Sequence, residues 1–197
     1  LENTIHTNFK IILYLDVVYP WEDIYRYNYL KKRVDLCFVF LNCWKTHIID
    51  DLGWSPDKVK VLPLGVDPPK IIKSEIAKNK LGFLTTDFIV LNMNRNSYRK
   101  QWCITIKAFI TFLVNNDCNT NIKLFCGCLV NSPDGYDLLK LIETECVKRK
   151  LETNKIINKH IFINEYAMTS SDEHINMIYN ACDVGLNTCC GEGFGLT

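Results

Sequence analysis

Short runs of β-branched and aromatic residues alternate along the chain with longer segments whose apolar positions recur every three to four residues. The runs Lys10–Leu15, Leu36–Leu41, Lys58–Leu62, Phe88–Met93, Ile122–Cys126, His160–Ile163 and Asp183–Asn187 read as strands. Helices are predicted over Ile24–Lys32, Cys43–Leu52, Glu75–Leu81, Gln101–Asn115, Gly135–Lys150 and Asp172–Ala181. Strand and helix patterns taking turns in this way are the signature of parallel βα units with helices on both faces of a sheet. Two helix starts carry a signal: Ser74 precedes one, and Ser170-Ser171-Asp172-Glu173 has capping-box spacing from Ser170 to Glu173.

The alternation breaks once, at Leu62-Pro63-Leu64-Gly65-Val66-Asp67-Pro68-Pro69, where three prolines and a glycine in eight residues end a strand and forbid helix. A hinge between two α/β domains is expected there, with residues 1–66 closing one domain and 67–197 opening the next. The chain starts at Leu1 and stops at Thr197 directly after a Gly-rich run, so it is expected to be an internal piece of a longer protein.

Composition narrows the classes. Of 197 residues, 48% are hydrophobic and 23% charged, enough to bury a core rather than form a disordered tail. Lys and Arg number 23 against 22 Asp and Glu, a net charge of +1, which excludes a nucleic-acid coat or an acidic solvating tail as the main activity. The longest apolar stretch, Trp102 to Val114, is interrupted by Lys107 and falls short of a bilayer span, so no transmembrane segment is expected. Ten cysteines sit inside apolar runs such as Leu36-Cys37-Phe38-Val39-Phe40, where a free thiol behaves as a small hydrophobe, which points to a reducing, cytoplasmic compartment. Their spacing, with four scattered histidines, lacks the Cys-x-x-Cys or paired-His pattern of a metal site.

Chemistry concentrates in two places. In Leu91-Asn92-Met93-Asn94-Arg95-Asn96-Ser97-Tyr98-Arg99-Lys100-Gln101 a buried-type strand runs into Arg95, Arg99 and Lys100 and then into an apolar helix. Such a strand-to-helix turn opens on the carboxyl end of the sheet, where ligands bind and a helix N-terminus favours anions. A cation about 4 Å from a phosphate charge gains on the order of 4 kcal/mol at an effective dielectric near 20, before desolvation. The turn is either a diphosphate grip or a solvated basic turn feeding a helix. The second place is Asp183-Val184-Gly185-Leu186-Asn187-Thr188-Cys189-Cys190-Gly191-Glu192-Gly193-Phe194-Gly195-Leu196-Thr197, where alternate glycines frame one carboxylate and one aromatic. Gly193 and Gly195 would let the backbone approach a phosphate or hydroxyl. Phosphate would repel Glu192, which therefore suits neutral sugar hydroxyls or else caps the next helix. A dinucleotide-binding fingerprint fits poorly, because the overlapping Gly191-x-Gly193 frame puts Leu196 where a small residue is needed, which leaves an NAD-binding protein as the lesser alternative.

Taken together these residues resemble the retaining nucleotide-sugar glycosyltransferases of family 4, which have the GT-B fold of two Rossmann-like domains. Val61-Leu62-Pro63-Leu64-Gly65-Val66-Asp67 resembles the interdomain Pro-x-Gly-Val-Asp turn, and Asn94-Arg95 with Lys100 the Gly-Arg-x4-Lys clamp. Tyr179-Asn180-Ala181-Cys182-Asp183-Val184 followed by Glu192-Gly193-Phe194-Gly195-Leu196 resembles the Tyr-x-Ala-x-Asp strand and the Glu-Gly-Phe-Gly-Leu donor loop.

The resemblance implies that residues 1–66 end an acceptor-side domain and 67–197 begin the donor-binding one. It implies that Arg95 and Lys100 hold the donor diphosphate and stabilise its charge as the sugar departs, with Glu192 on the sugar hydroxyls. Gly193, Phe194, Gly195 and Leu196 would line the sugar and phosphate, and Arg99 would be a supporting charge. Asn94 stands where the family has glycine, the family's second glutamate would fall at position 200, and Asp16 stands where it often has a sugar-contacting histidine. Asp16 is a polar substitute or, the preferred reading, an element cap. The absence of an Asp-x-Asp triplet fits the family's use of cations in place of a divalent metal, so no cofactor is expected. The implied activity is retaining transfer of a hexosyl-type sugar from a nucleoside diphosphate to a glycan, protein or lipid acceptor, with no nucleic-acid partner. The fragment alone is not expected to turn over. A truncated, non-catalytic nucleotide-sugar-binding fragment is the alternative.

Overall fold

A computed structural model of the chain describes residues 9–17, 24–65, 67–118 and 121–192. The chain divides into two compact units, one running to Asp67 and including Gly191 and Glu192, the other spanning Pro68–Cys190.

In the first unit β1 (Ile12–Leu15), β2 (Leu36–Val39) and β3 (Val59–Val61) form a parallel sheet in that order. The crossovers are α1 (Ile24–Lys31) and α2 (Asn42–Thr46), the latter continued by a π-helical turn, His47–Asp51. Val34, Cys37, Val39, Ile48, Trp54 and Val59 close the core. Burying such side chains supplies roughly 1.5–3 kcal/mol each.

The second unit holds α3 (Ser74–Lys80), β4 (Phe88–Asn92), α4 (Trp102–Asn115), β5 (Ile122–Cys126), α5 (Leu138–Lys148), α6 (Thr153–His160), β6 (Ile161–Ile163), α7 (Asp172–Ala181) and β7 (Val184–Gly185). Its sheet is parallel, ordered β6-β5-β4-β7. Side-chain alternation assigns the faces. Val90, Leu124 and Cys126 pack with α4, α5 and α6, whereas Ile89, Leu91, Met93 and Phe125 join Ile178 of α7 and Phe83. Both faces are covered, as the alternating strand and helix patterns predict.

Local details depart from the sequence reading. Ser74 lies inside α3 and its N-cap is Lys73. The cap of α7 is Ser171, whose hydroxyl accepts the His174 amide at 3.3 Å, so the box starting at Ser170 is displaced by one residue. Helix α5 begins at Leu138, capped by Asp137 rather than starting at Gly135. Helix α6 was not anticipated: in Thr-Asn-Lys-Ile-Ile-Asn-Lys-His only two residues are apolar.

An ion pair anchored by the buried Lys78 fixes the sheet's β7 side. Lys78 Nζ of α3 reaches the Asp183 carboxylate at 2.9 Å and the Asp87 carbonyl at 2.7 Å, while Asp183 also accepts the Ile89 amide at 2.7 Å. The segment after the prolines is tied to α7. Asn180 accepts the Ile72 amide and donates to the Lys70 carbonyl, which Asn176 meets as well.

Candidate functional site

The carboxyl ends of β4 and β7 are neighbours because the two strands pair, and the segments leaving them build the site. Past Asn92 the chain passes Asn94 to Arg95, makes a 3-10 turn at Tyr98–Lys100, and enters α4 through Gln101. Gln101 adopts φ 50° and ψ 48°, a left-handed conformation costly for a residue with a Cβ. The first turn of α4, which follows this residue, carries no acidic side chain.

A run of buried and half-buried polar side chains sets the positions. Asn94 Nδ2 donates to Asn92 Oδ1 at 2.7 Å, and Asn92 Nδ2 donates to Thr105 Oγ1 of α4 at 2.9 Å. Thr188 Oγ1, beyond β7, donates to the Lys100 carbonyl at 2.9 Å, so Thr105 Oγ1 is the donor across the 2.9 Å to Thr188 Oγ1. Every donor in this series points toward the same carbonyl, an order in which each bond polarises the next. Asn96 makes a separate latch. Its Nδ2 donates to the Leu129 and Tyr136 carbonyls at 3.0 and 2.7 Å, and its Oδ1 accepts the Tyr136 amide at 3.0 Å. Gly135 is required beneath it, since a Cβ there would lie 2.5 Å from the Asn96 carbonyl oxygen.

The two loops singled out by sequence are joined here. Cys190 N–H donates to the Arg99 carbonyl at 3.1 Å, and Arg99 Nη1 donates to Cys189 Sγ at 3.3 Å. Lys100 is only 7% exposed, which sets it apart from a solvated surface charge. Arg95 has an exposed side chain while Trp102 Nε1 donates to its carbonyl at 3.4 Å. Glu192 is half-buried and follows Cys190 by two residues; Gly193, Phe194, Gly195 and Leu196 lie outside the described residues. Beside the β4 and β7 ends a cleft of about 180 Å³ is lined by Met93, Asn94, Tyr179, Leu186 and Asn187. Asp16 belongs to the first unit, exposed after β1 in a separate cleft of about 510 Å³ with Tyr14, Arg26 and Tyr27.

Sequence reasoning missed the roles of Asn92, Asn96, Thr105 and Thr188. The available signal was a polar residue in an otherwise apolar strand, Leu91-Asn92-Met93. Asn94, noted as a departure from glycine, is 1% exposed and is a working member of the relay. No group of three or more His, Cys, Asp or Glu among the described residues is placed to hold a metal.

No protein-family model matches the chain, and no curated protein does. Solved structures do. Anabaena HepE, in complex with UDP and glucose, aligns with 20% identity and a TM-score of 0.66 over 94% of this chain and 48% of its own. A Rickettsia africae glycosyltransferase aligns with 18% identity and a TM-score of 0.66, covering 93% of this chain and 46% of its own. An E. coli trehalose-6-phosphate protein bound with UDP-2-fluoro glucose reaches a TM-score of 0.69 at 16% identity, covering 97% and 49% respectively. The chain therefore has the α/β fold of the GT-B glycosyltransferases and spans about half the length of those it matches.

Proposed function

We propose that the chain belongs to a glycosyltransferase that moves a sugar from a nucleoside diphosphate to an acceptor with retention of configuration. Residues 67–197 are the donor side and residues 1–66 the acceptor side. The observation that carries this reading is the junction of the basic turn with the segment leading to Glu192, through the Cys190 amide on the Arg99 carbonyl and the Thr188 hydroxyl on the Lys100 carbonyl.

In this reading Arg95 and Lys100 take the diphosphate at the start of α4, and charge growing on the leaving group is met by fixed cations. The asparagine and threonine relay holds the turn that carries them, so the charges need no rearrangement when the sugar leaves. Glu192 takes sugar hydroxyls, and Gly193, Phe194, Gly195 and Leu196 complete the donor loop. The sugar is of hexosyl type, no metal is required, and the ten thiols suit a reducing cytoplasm. Fold neighbours holding UDP with glucose and UDP-2-fluoro glucose support the donor class.

Calorimetric titration of UDP and GDP tests the clamp. Arg95→Ala and Lys100→Ala should each weaken binding of the preferred nucleotide by roughly 10- to 100-fold, the loss expected for one charge-assisted contact. Unchanged affinity in both variants would remove the assignment.

A further inference from the structure

The ten thiols divide by environment. Cys37, Cys126, Cys128 and Cys146 are buried. Burial pushes the Cys37 thiol up to about 11 and those of Cys128 and Cys182 up to about 12, so at neutral pH these stay protonated and inert. Cys189 and Cys190 differ. Cys190 is exposed and Cys189 partly so. The Arg99 guanidinium is 3.3 Å from Cys189 Sγ, while the Arg99 carbonyl takes the Cys190 amide, so one residue holds both members of the pair. A cation at that distance favours the thiolate, the form that reacts.

We propose that Cys189 and Cys190 form a modification site, a dithiol that a hydroperoxide oxidises to a vicinal disulfide, with Arg99 activating Cys189. The Cys189 thiolate attacks one peroxide oxygen; the O–O bond breaks, hydroxide leaves, and the sulfur becomes a sulfenic acid. The Cys190 thiolate then attacks that sulfur, the S–O bond breaks, and a second hydroxide departs as the S–S bond forms. Two thiols are oxidised, the peroxide is reduced, and the protons released by the thiols convert both hydroxides to water.

Neighbouring Cα atoms lie about 3.8 Å apart, below the roughly 4.4 Å at which unstrained disulfides begin. The product is therefore strained and readily reduced, as a reversible modification requires. A disulfide sulfur carries no charge, so oxidation removes the charge-assisted part of the Arg99 contact and loosens the attachment of this segment to the basic turn. The chemistry holds whether or not the protein transfers sugar.

Graded hydrogen peroxide followed by differential alkylation and peptide mass spectrometry tests the site on the chain as it stands. Expected first is loss of two hydrogens at Cys189–Cys190, reversed by dithiothreitol. Cys190→Ser should leave a Cys189 sulfenic acid that dimedone traps. Arg99→Gln should slow alkylation of Cys189 by about three- to tenfold, thiolate gain being partly offset by lower nucleophilicity, and Arg99→Lys should restore the rate. Oxidation that begins at Cys43 or Cys103, no trapped adduct at Cys189, or an unchanged rate in Arg99→Gln would overturn the proposal. So would Arg99→Lys slowing the reaction as much as Arg99→Gln, since the loss would then follow shape rather than charge.

Discussion

The carboxyl ends of the two sheets are built from different materials. In the first unit they are aromatic: Tyr14 meets Phe40 edge-on at 4.7 Å between ring centroids, and its hydroxyl donates to the Leu62 carbonyl at 2.6 Å. In the second they are polar and buried. All nine buried polar or charged side chains among the described residues belong to the second unit, and five of them, Asn92, Asn94, Asn96, Lys100 and Thr105, lie at the β4 end and the start of α4. Each such group costs stability unless fully bonded, so their concentration marks where geometry is held most tightly. Position there is fixed by bonds between buried side chains, whereas among the described residues the first unit buries no polar side chain.

The largest test of that contrast is Asn96→Ala, which removes a buried side chain that bonds the Leu129 and Tyr136 carbonyls and the Tyr136 amide. Urea unfolding should show a loss of about 3 kcal/mol, against no more than about 0.5 kcal/mol for the exposed Asp16→Ala. Thr188→Val should cost roughly 1–2 kcal/mol by breaking the relay at its last hydroxyl, with the loss shared by Thr105→Val rather than added to it.

Proton uptake offers a gentler probe. Burial lowers the His160 pKa below its usual value, with Lys159 and Lys123 adding to the effect, while the ring bonds the Ile122 carbonyl at 2.9 Å. The unfolded chain therefore binds a proton more readily. Stability from this group is present above the unfolded value near 6.5 and is lost as pH falls through the lower folded one. His160→Asn, which keeps a donor and cannot be protonated there, should flatten that part of a stability-versus-pH curve. Smallest is Gln101→Gly, expected to change stability by under about 1 kcal/mol in the stabilising direction, because relief of the left-handed strain is partly offset by glycine's entropy.

Much of the frame was legible in the sequence. Ile122–Cys126 and Asp172–Ala181 form as read, because one is a short apolar run and the other an amphipathic stretch with an acidic first turn. Helix α6 escaped because its packing against α5 compensates for a polar sequence. The basic turn and the acid-bearing loop could be found from charge beside glycine. Their supports could not: Asn96 and Tyr136 are 40 positions apart, and Thr105 and Thr188 are 83. A hydrogen bond between distant asparagines and threonines leaves no periodicity behind.

The hold of α7 on the chain after the prolines sets where that segment becomes part of the second unit. With Asn176 and Asn180 fastening Lys70 and Ile72, the backbone is pinned to α7 from Lys70 onward. Two amide side chains thus carry the attachment, and weakening either asparagine would lengthen the stretch left unfastened to α7 without touching a single residue of the basic turn.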